Sequence, residues 1–456
     1  MNTTSQRVHA ACPKTGGHNL RLKNLLATGV ITLGLLGSCL SAAQAADDPT
    51  VAEMPTRVVS QATEDTIPLP EDLDESSVEL DDLVSSLPDP QDDTPTTSDT
   101  PSDGMSQEQS IDSDPVATAG EIQSSCLVQK AIAAAKGSDE PVSCANWSTD
   151  IPEADIRKAS SAWSTPKWCG ESGMNRWLVN RFRACGVFSA KVTIWDPRSG
   201  AVIGTLNYLV RAYAYSTRDS KNWAYQVELM EVSSTARAKG LTVSGSTTCS
   251  GKCRVTKSTF PAQVMSQTKD VVGQSFMEPT IALSPKGQSG WGQATAGWVF
   301  TRPDVTPTNR ITLPTPGVRC DNAFPGTSKP GCVMPVIPEL AYARHGEYPE
   351  LADHIQDAQN SGLPGKHGTK NYLTRVTNKT RINENRNASC PSSLPRPTGK
   401  DCDEYPMAST WQGGKTGKFS RRMIDKDQNR SGGRTLANFY LYNRIIEKDR
   451  FLVWIK

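Results

Sequence analysis

The order of apolar and polar positions divides the chain into three stretches of different character. Residues 25–40 are an apolar run, preceded by Arg21 and Lys23 and followed by Ala43-Gln44-Ala45. A charged start, an apolar centre and a small-residue cleavage site predict an export signal over residues 1–45. The run falls short of the roughly 20 residues that a membrane-spanning helix needs, which favours a cleaved signal over an anchor. Leu36-Gly37-Ser38-Cys39 offers a second way to process it. The protein is thus expected to be secreted or, as the alternative, lipid-anchored to the cell surface through Cys39. In residues 46–120 apolar positions are scattered among Pro, Ser, Thr and acids. They are too few to offset chain entropy, so a disordered acidic linker is expected.

From residue 121 the pattern becomes that of folded protein. Residues 186–195, 201–216 and 223–232 are rich in Val, Ile, Leu and Tyr and predict strands, the first two joined through Asp196-Pro197-Arg198-Ser199-Gly200. Residues 126–136 and 174–183 predict helices. A mainly β module over 121–310 follows, of no evident role; Trp147, Trp163, Trp168 and Trp177 can be its packing or a stacking surface. Four prolines in residues 301–316 mark a boundary. Beyond it, 349–359 predicts a short helix bearing His354, which reads as a structural hydrogen-bonder or a candidate base. Residues 402–411 and 416–424 predict strands around Gly413, Gly414 and Gly417, and 425–433 a polar loop ending in Gly432-Gly433. Leu436, Phe439, Tyr440 and Ile446 recur near a 3.6-residue period and predict a helix, and 451–455 a buried final strand.

Charge and cysteine usage sharpen this picture. The whole chain has a formal net charge of +1. Residues 46–120 hold 20 acids and one base, Arg57, while residues 121–456 hold 44 bases against 28 acids. An acidic arm is therefore joined to a basic body, which points to a polyanionic partner for the body and to a contact between arm and body. Ten cysteines follow the signal, in near-neighbour pairs: Cys126 and Cys144, Cys169 and Cys185, Cys249 and Cys253, Cys320 and Cys332, Cys390 and Cys402. Five local disulfides in an oxidising compartment are expected. A zinc reading of Cys249 and Cys253 has the right spacing at one end only.

The candidate chemistry lies at Asp403 and Glu404, which sit between Cys402 and Pro406, both restraints on the backbone. Neighbours in a strand point to opposite faces, so the two acids cannot both face one water without a bulge. Arg421, Arg422, Arg430 and Arg434 are close in sequence and can bind flanking phosphates without reading bases. Paired acids also serve glycoside hydrolases, but those stand about 5 to 10 Å apart across a sugar.

The run Asp401-Cys402-Asp403-Glu404-Tyr405-Pro406-Met407-Ala408-Ser409-Thr410, followed by Asn429-Arg430-Ser431-Gly432-Gly433 and a helix ending in Asn438-Phe439-Tyr440, resembles the NucA/NucB-type secreted deoxyribonucleases. The likeness extends upstream through Gly317-Val318-Arg319-Cys320 and Gly331-Cys332-Val333 to Ala352-Asp353-His354-Ile355 and so covers residues 317–456. It implies a ββα-metal core and metal-dependent, endonucleolytic hydrolysis of DNA with Mg²⁺ or Mn²⁺. It further implies Asp403 as general base, with Glu404, Asn429 and Asn438 as candidate ligands of the metal or of its waters. The expected fold class is α+β: a ββα-metal-like nuclease domain over 317–456, preceded by the disulfide-bonded β module and the disordered arm. DNA is the expected partner, and no stable protein partner is expected. The alternative is a non-catalytic cell-surface or polyanion-binding protein with a decayed nuclease fold.

Overall fold

The computed structural model describes residues 174–456 throughout, 139–148, scattered positions between 126 and 137, Ile151, and two short strands, Thr56–Val58 and Gln109–Ile111. The expected export signal and most of the acidic arm lie outside the described residues. The two short strands pair with one another, and the second also pairs with Trp177–Val179. Among the described residues no helix is long and apolar enough to cross a membrane.

Two antiparallel sheets make up the β module. The larger is built on β1 (Val142–Trp147), β2 (Trp177–Val179), β3 (Arg183–Trp195), β4 (Val202–Tyr215), β5 (Trp223–Ala236), β7 (Cys253–Thr259) and β8 (Val271–Pro279). The smaller contains β6 (Thr242–Gly251), β9 (Ser289–Thr301), β10 (Ile311–Pro314), β11 (Val318–Asp321) and β12 (Gly331–Val333). Alternation along β4 explains why a run this apolar is a strand. Leu206, Tyr208, Val210, Ala212 and Ala214 enter the core between the sheets, while Leu209, Tyr213 and Tyr215 enter a second cluster on the outer face. Tyr208 and Trp298 join the sheets through the Trp298 Nε1 donor at 3.3 Å. Trp177 is fully buried in this core and Trp147 packs at its edge, so both serve packing; Trp163 and Trp168 lie outside the described residues.

The C-terminal part is a smaller α+β body. The strand β13 (Glu339–Tyr342) runs parallel to β17 (Arg450–Ile455), which also pairs with β14 (Leu373–Thr374). Helix α1 (Pro349–Asn360), helix α2 (Lys379–Ser389), the ribbon of β15 (Lys400–Tyr405) and β16 (Ser420–Asp425), and helix α3 (Lys426–Tyr442) complete it. Its own core holds Leu340, Ile355, Tyr405, Ile424, Phe439 and Phe451.

Four expectations are corrected. Residues 174–183 are not helical: they hold β2 and lead into β3, since Trp177, Leu178 and Val179 are buried in sequence. Residues 425–433 are the first turns of α3 rather than a loop, because Asp425 caps the helix, accepting from the backbone N–H groups of Asp427 at 3.0 Å and Gln428 at 3.1 Å. The boundary lies later than 301–316: β10 and β11 both pair with β9, and β12 pairs with β11, so residues 317–333 belong to the β module. Disulfides join Cys249 to Cys253, Cys320 to Cys332 and Cys390 to Cys402, and Cys185 is also bridged. Cys126 and Cys144 instead are two buried thiols that hydrogen-bond each other, and the Cys126 thiol also donates to Asn309 Oδ1 at 3.1 Å. Cys169 lies outside the described residues.

Candidate functional site

The ribbon β15–β16 carries the acid pair. Its register is regular, with Asp403 opposite Arg422, Glu404 opposite Arg421 and Tyr405 opposite Ser420. Asp403, Tyr405, Ser420 and Arg422 therefore share the face turned to α1, while Glu404 and Arg421 share the face turned to α2. The bonds agree with this division. Tyr405 Oη accepts from Gln359 Nε2 of α1 at 3.1 Å, and Arg422 pairs with Asp357 of α1 at 2.7 Å. On the other face Arg421 donates to the Ser389 carbonyl of α2 at 3.1 Å, and the Cys390–Cys402 bridge ties the end of α2 to β15.

On the α1 face, His354 Nδ1 lies 2.5 Å from Asp403 Oδ2, and His354 Nε2 lies 2.9 Å from Ser420 Oγ. The imidazole is fully buried, whereas the Asp403 side chain keeps 12% of its exposure. On the α2 face the Glu404 carboxyl accepts the Ala408 backbone N–H. It is pushed up to about 7, first by burial and then by the negative charge of Asp403, with Arg386 and Arg396 opposing. The loop beyond Glu404 is held by the fully buried Asn385 of α2, whose Nδ2 donates to the carbonyls of Ala408 and Thr410 at 2.8 Å each. A Cβ on Gly413 would stand 2.5 Å from that amide, which is why the loop passes there as glycine.

The remaining predicted residues are distributed unequally. Arg421 and Arg434 are exposed, and Arg434 donates to Ser431 Oγ at 2.6 Å. Arg430 reaches back to Asp401 at 3.2 Å, so it and Arg422 are partly neutralised by carboxylates. Asn429 and Asn438 both lie on α3, nine residues apart; that is about 13.5 Å along the axis and half a turn out of phase. They cannot serve one ion together. Asn429 falls on the stripe of Gly432 and Leu436, which faces the C-terminal core, while Asn438 falls on that of Ser431 and Arg434. Sequence reasoning missed Ser420, Arg386 and Arg396. Among the described residues no group of three or more His, Cys, Asp or Glu is arranged to hold a metal ion.

Two carboxyls on one ribbon, one oriented by a buried imidazole and the other flanked by guanidinium groups, make a site suited to hydrolysis at a polyanion. Comparison with protein families agrees: residues 362–454 match the model of the family described as Deoxyribonuclease NucA/NucB. The matched segment is about a fifth of the chain and contains α2, the ribbon, α3 and nearly all of β17. It supports a nucleic-acid-cleaving role. No curated protein matches the chain.

Proposed function

We propose that this is an exported endonuclease that hydrolyses DNA phosphodiester bonds with little sequence preference and requires Mg²⁺ or Mn²⁺. The observation that carries the reading is the orientation of Asp403 within the matched segment: one oxygen is bonded to His354, and the side chain is still partly open to solvent. Asp403 then takes the proton of the attacking water. Arg421, with Arg386 and Arg396 near Glu404, neutralises phosphate on the strand being cut and reads no base.

The residues fit a divalent cation of the Mg²⁺ type. Such an ion keeps several of its waters and needs only one or two carboxylates besides the substrate phosphate. Glu404 is a half-buried oxygen donor, raised by desolvation and then by its acidic neighbour and without an ion pair among the described residues, the condition a cation relieves. Glu404 would hold it, together with retained waters and the substrate phosphate. When bound, the ion stabilises the charge that builds on the phosphate oxygens.

The test uses purified, oxidised protein lacking residues 1–45 with supercoiled plasmid and either metal. Nicking that a chelator abolishes is expected. Asp403→Ala should lower the rate by about 10² to 10⁴, the usual cost of losing a general base, while the exposed Asp427→Asn should not. No nicking by the parent, or equal nicking by Asp403→Ala, would overturn the proposal.

A further inference from the structure

The Asp403 bond to His354 is one end of a three-residue chain that spans three elements. His354 comes from the middle of α1 and is fully buried; Asp403 and Ser420 come from the two strands of the ribbon, 49 and 66 residues further on. The two ring nitrogens are bonded on opposite sides, Nδ1 to Asp403 Oδ2 at 2.5 Å and Nε2 to Ser420 Oγ at 2.9 Å. An ionised carboxyl can only accept, so the hydrogen between ring and Asp403 belongs to Nδ1. The neutral ring then has a lone pair on Nε2, and Ser420 O–H is the donor that fills it. Each hydrogen in the chain is accounted for, and one tautomer is selected.

This arrangement does more than satisfy a buried ring. A histidine needing only partners could take any backbone carbonyl of the core, whereas this one is aimed at the carboxyl that does the proposed chemistry. The same face of the ribbon holds Tyr405, whose Oη donates to the Pro364 carbonyl at 2.7 Å and accepts from Gln359 of α1. The ribbon is therefore keyed to α1 at two successive positions on one side. Rotation of the Asp403 carboxyl about its own axis would break the imidazole bond.

We propose that His354, whose second ring nitrogen is satisfied by Ser420, is a positioning residue of the reaction: its Nδ1–H holds Asp403 Oδ2 so that the other oxygen faces the water to be deprotonated. The inference rests on Asp403 being the base, and it adds a device that acts through Asp403 without touching substrate. The same connectivity activates serine in hydrolases. Here the bonds at Ser420 and at the ring serve the carboxyl end.

The decisive contrast is between two amides. In His354→Asn the side-chain amide can take the place of Nδ1–H and keep the bond to Asp403, whereas in His354→Gln it reaches toward the Nε2 position and keeps only the Ser420 side. Plasmid nicking at saturating metal, with kcat and KM for DNA separated, is compared among parent, both variants, Ser420→Ala and Asp403→Ala. His354→Gln should lose about 10² in kcat, the scale of a misplaced reacting group, with KM unchanged; His354→Asn should stay within about tenfold of the parent. Ser420→Ala leaves the ring and its bond to Asp403 in place and gives a second measure: ¹⁵N spectra of the imidazole should show a single Nδ1–H tautomer in the parent and in Ser420→Ala, which should lose less in kcat, and a mixture in Asp403→Ala. His354→Gln as fast as the parent while Asp403→Ala is inactive overturns the positioning role alone. Equal losses in both amide variants that follow their thermal stability assign His354 to packing and overturn it too. Inactivity of the parent itself overturns the reading on which the inference rests.

Discussion

Of the two acids, Glu404 bears the larger electrostatic penalty. Its carboxyl stands at about 7 against an ordinary 4.5, raised by burial and by Asp403. Between those values Glu404 binds more protons in the folded protein than in the unfolded chain, so its contribution to stability is fully present below about pH 4.5 and is lost as pH rises through 7. In the metal-free protein, with chelator present, Tm should decline over that window, and Glu404→Gln should flatten the decline. An unchanged slope in the variant would show that Glu404 is not the group responsible. Much of this site was legible in the sequence. The adjacency of Asp403 and Glu404 fixed that they face opposite ways, and the regular ribbon register bears this out. What could not be read was the company they keep. His354 stood out as a candidate, but its bond to Asp403 depends on how α1 packs on the ribbon, and no local pattern encodes that. Arg386 approaches Glu404 from α2, a helix with no apolar stripe to announce it.

Helix α3 shows how a pattern misleads at the scale of an element. Gly432-Gly433 looks like the end of a loop, yet both glycines are helical. The reason is close approach: a Cβ on Gly432 would stand 2.1 Å from Leu351 Cδ2 of α1, and the Gly432 carbonyl accepts from Tyr342 Oη at 2.7 Å, whereas a Cβ on Gly433 meets nothing within 4 Å. The two positions should respond oppositely to alanine. Gly433→Ala should stabilise by about 0.5 to 1 kcal/mol, through helix propensity and a less flexible unfolded chain. Gly432→Ala should destabilise by about 1 to 3 kcal/mol, because the buried Leu351 side chain must leave its place to admit a methyl group. Chemical denaturation of both variants measures this, and a shared sign would refute the packing argument. A signal for the true helix start was present, Asp425 with Gln428 three residues on, a cap followed by an amide. The helix α2 has a cap, Asn378, which accepts from the Arg381 backbone N–H at 2.9 Å, but no apolar face; its buried positions are the polar Asn385 and Ser389, of which Asn385 holds the loop after Glu404. Long strands such as β4 were legible because alternation and β-branched content agree over fourteen residues. A three-residue strand such as β2 cannot be told from a helical turn by periodicity.

At the scale of the whole molecule, the two modules that the sequence separates are joined by buried charge. Asp449, in the turn before β17, is paired with Arg181 at 3.2 Å and with Arg319, both from the β module. Arg444, after α3, pairs with the fully buried Asp321 of β11 at 3.0 Å and donates to the Lys329 carbonyl at 3.0 Å. Arg181 also donates to the Asn443 carbonyl at 2.8 Å. The described residues of the two modules accordingly form one compact unit, and the β module acquires a structural role as the support at which α3 ends and β17 begins. Burial pushes the Asp449 carboxyl up, but the charges of Arg319 and Arg181 more than offset it and hold it below its ordinary 3.8. A group depressed in this way contributes stability above its unfolded value, near pH 4, and the contribution is lost as pH falls through the lower folded value. Asp449→Asn keeps the shape but leaves the buried Arg181 guanidinium without its paired carboxylate and Arg319 with Asp321 alone, which by analogy with broken buried pairs should cost about 3 to 5 kcal/mol. Because the charge sits between the modules, that loss should lower the unfolding of both together. Near-ultraviolet signals from the β-module tryptophans and loss of nuclease activity should shift in step on heating, in parent and variant alike. If activity is lost well before the tryptophan signal in the variant alone, the modules have come apart at this contact and the clasp is what joins them. If the variant unfolds as the parent does, the buried pair contributes nothing net and the modules are held by packing.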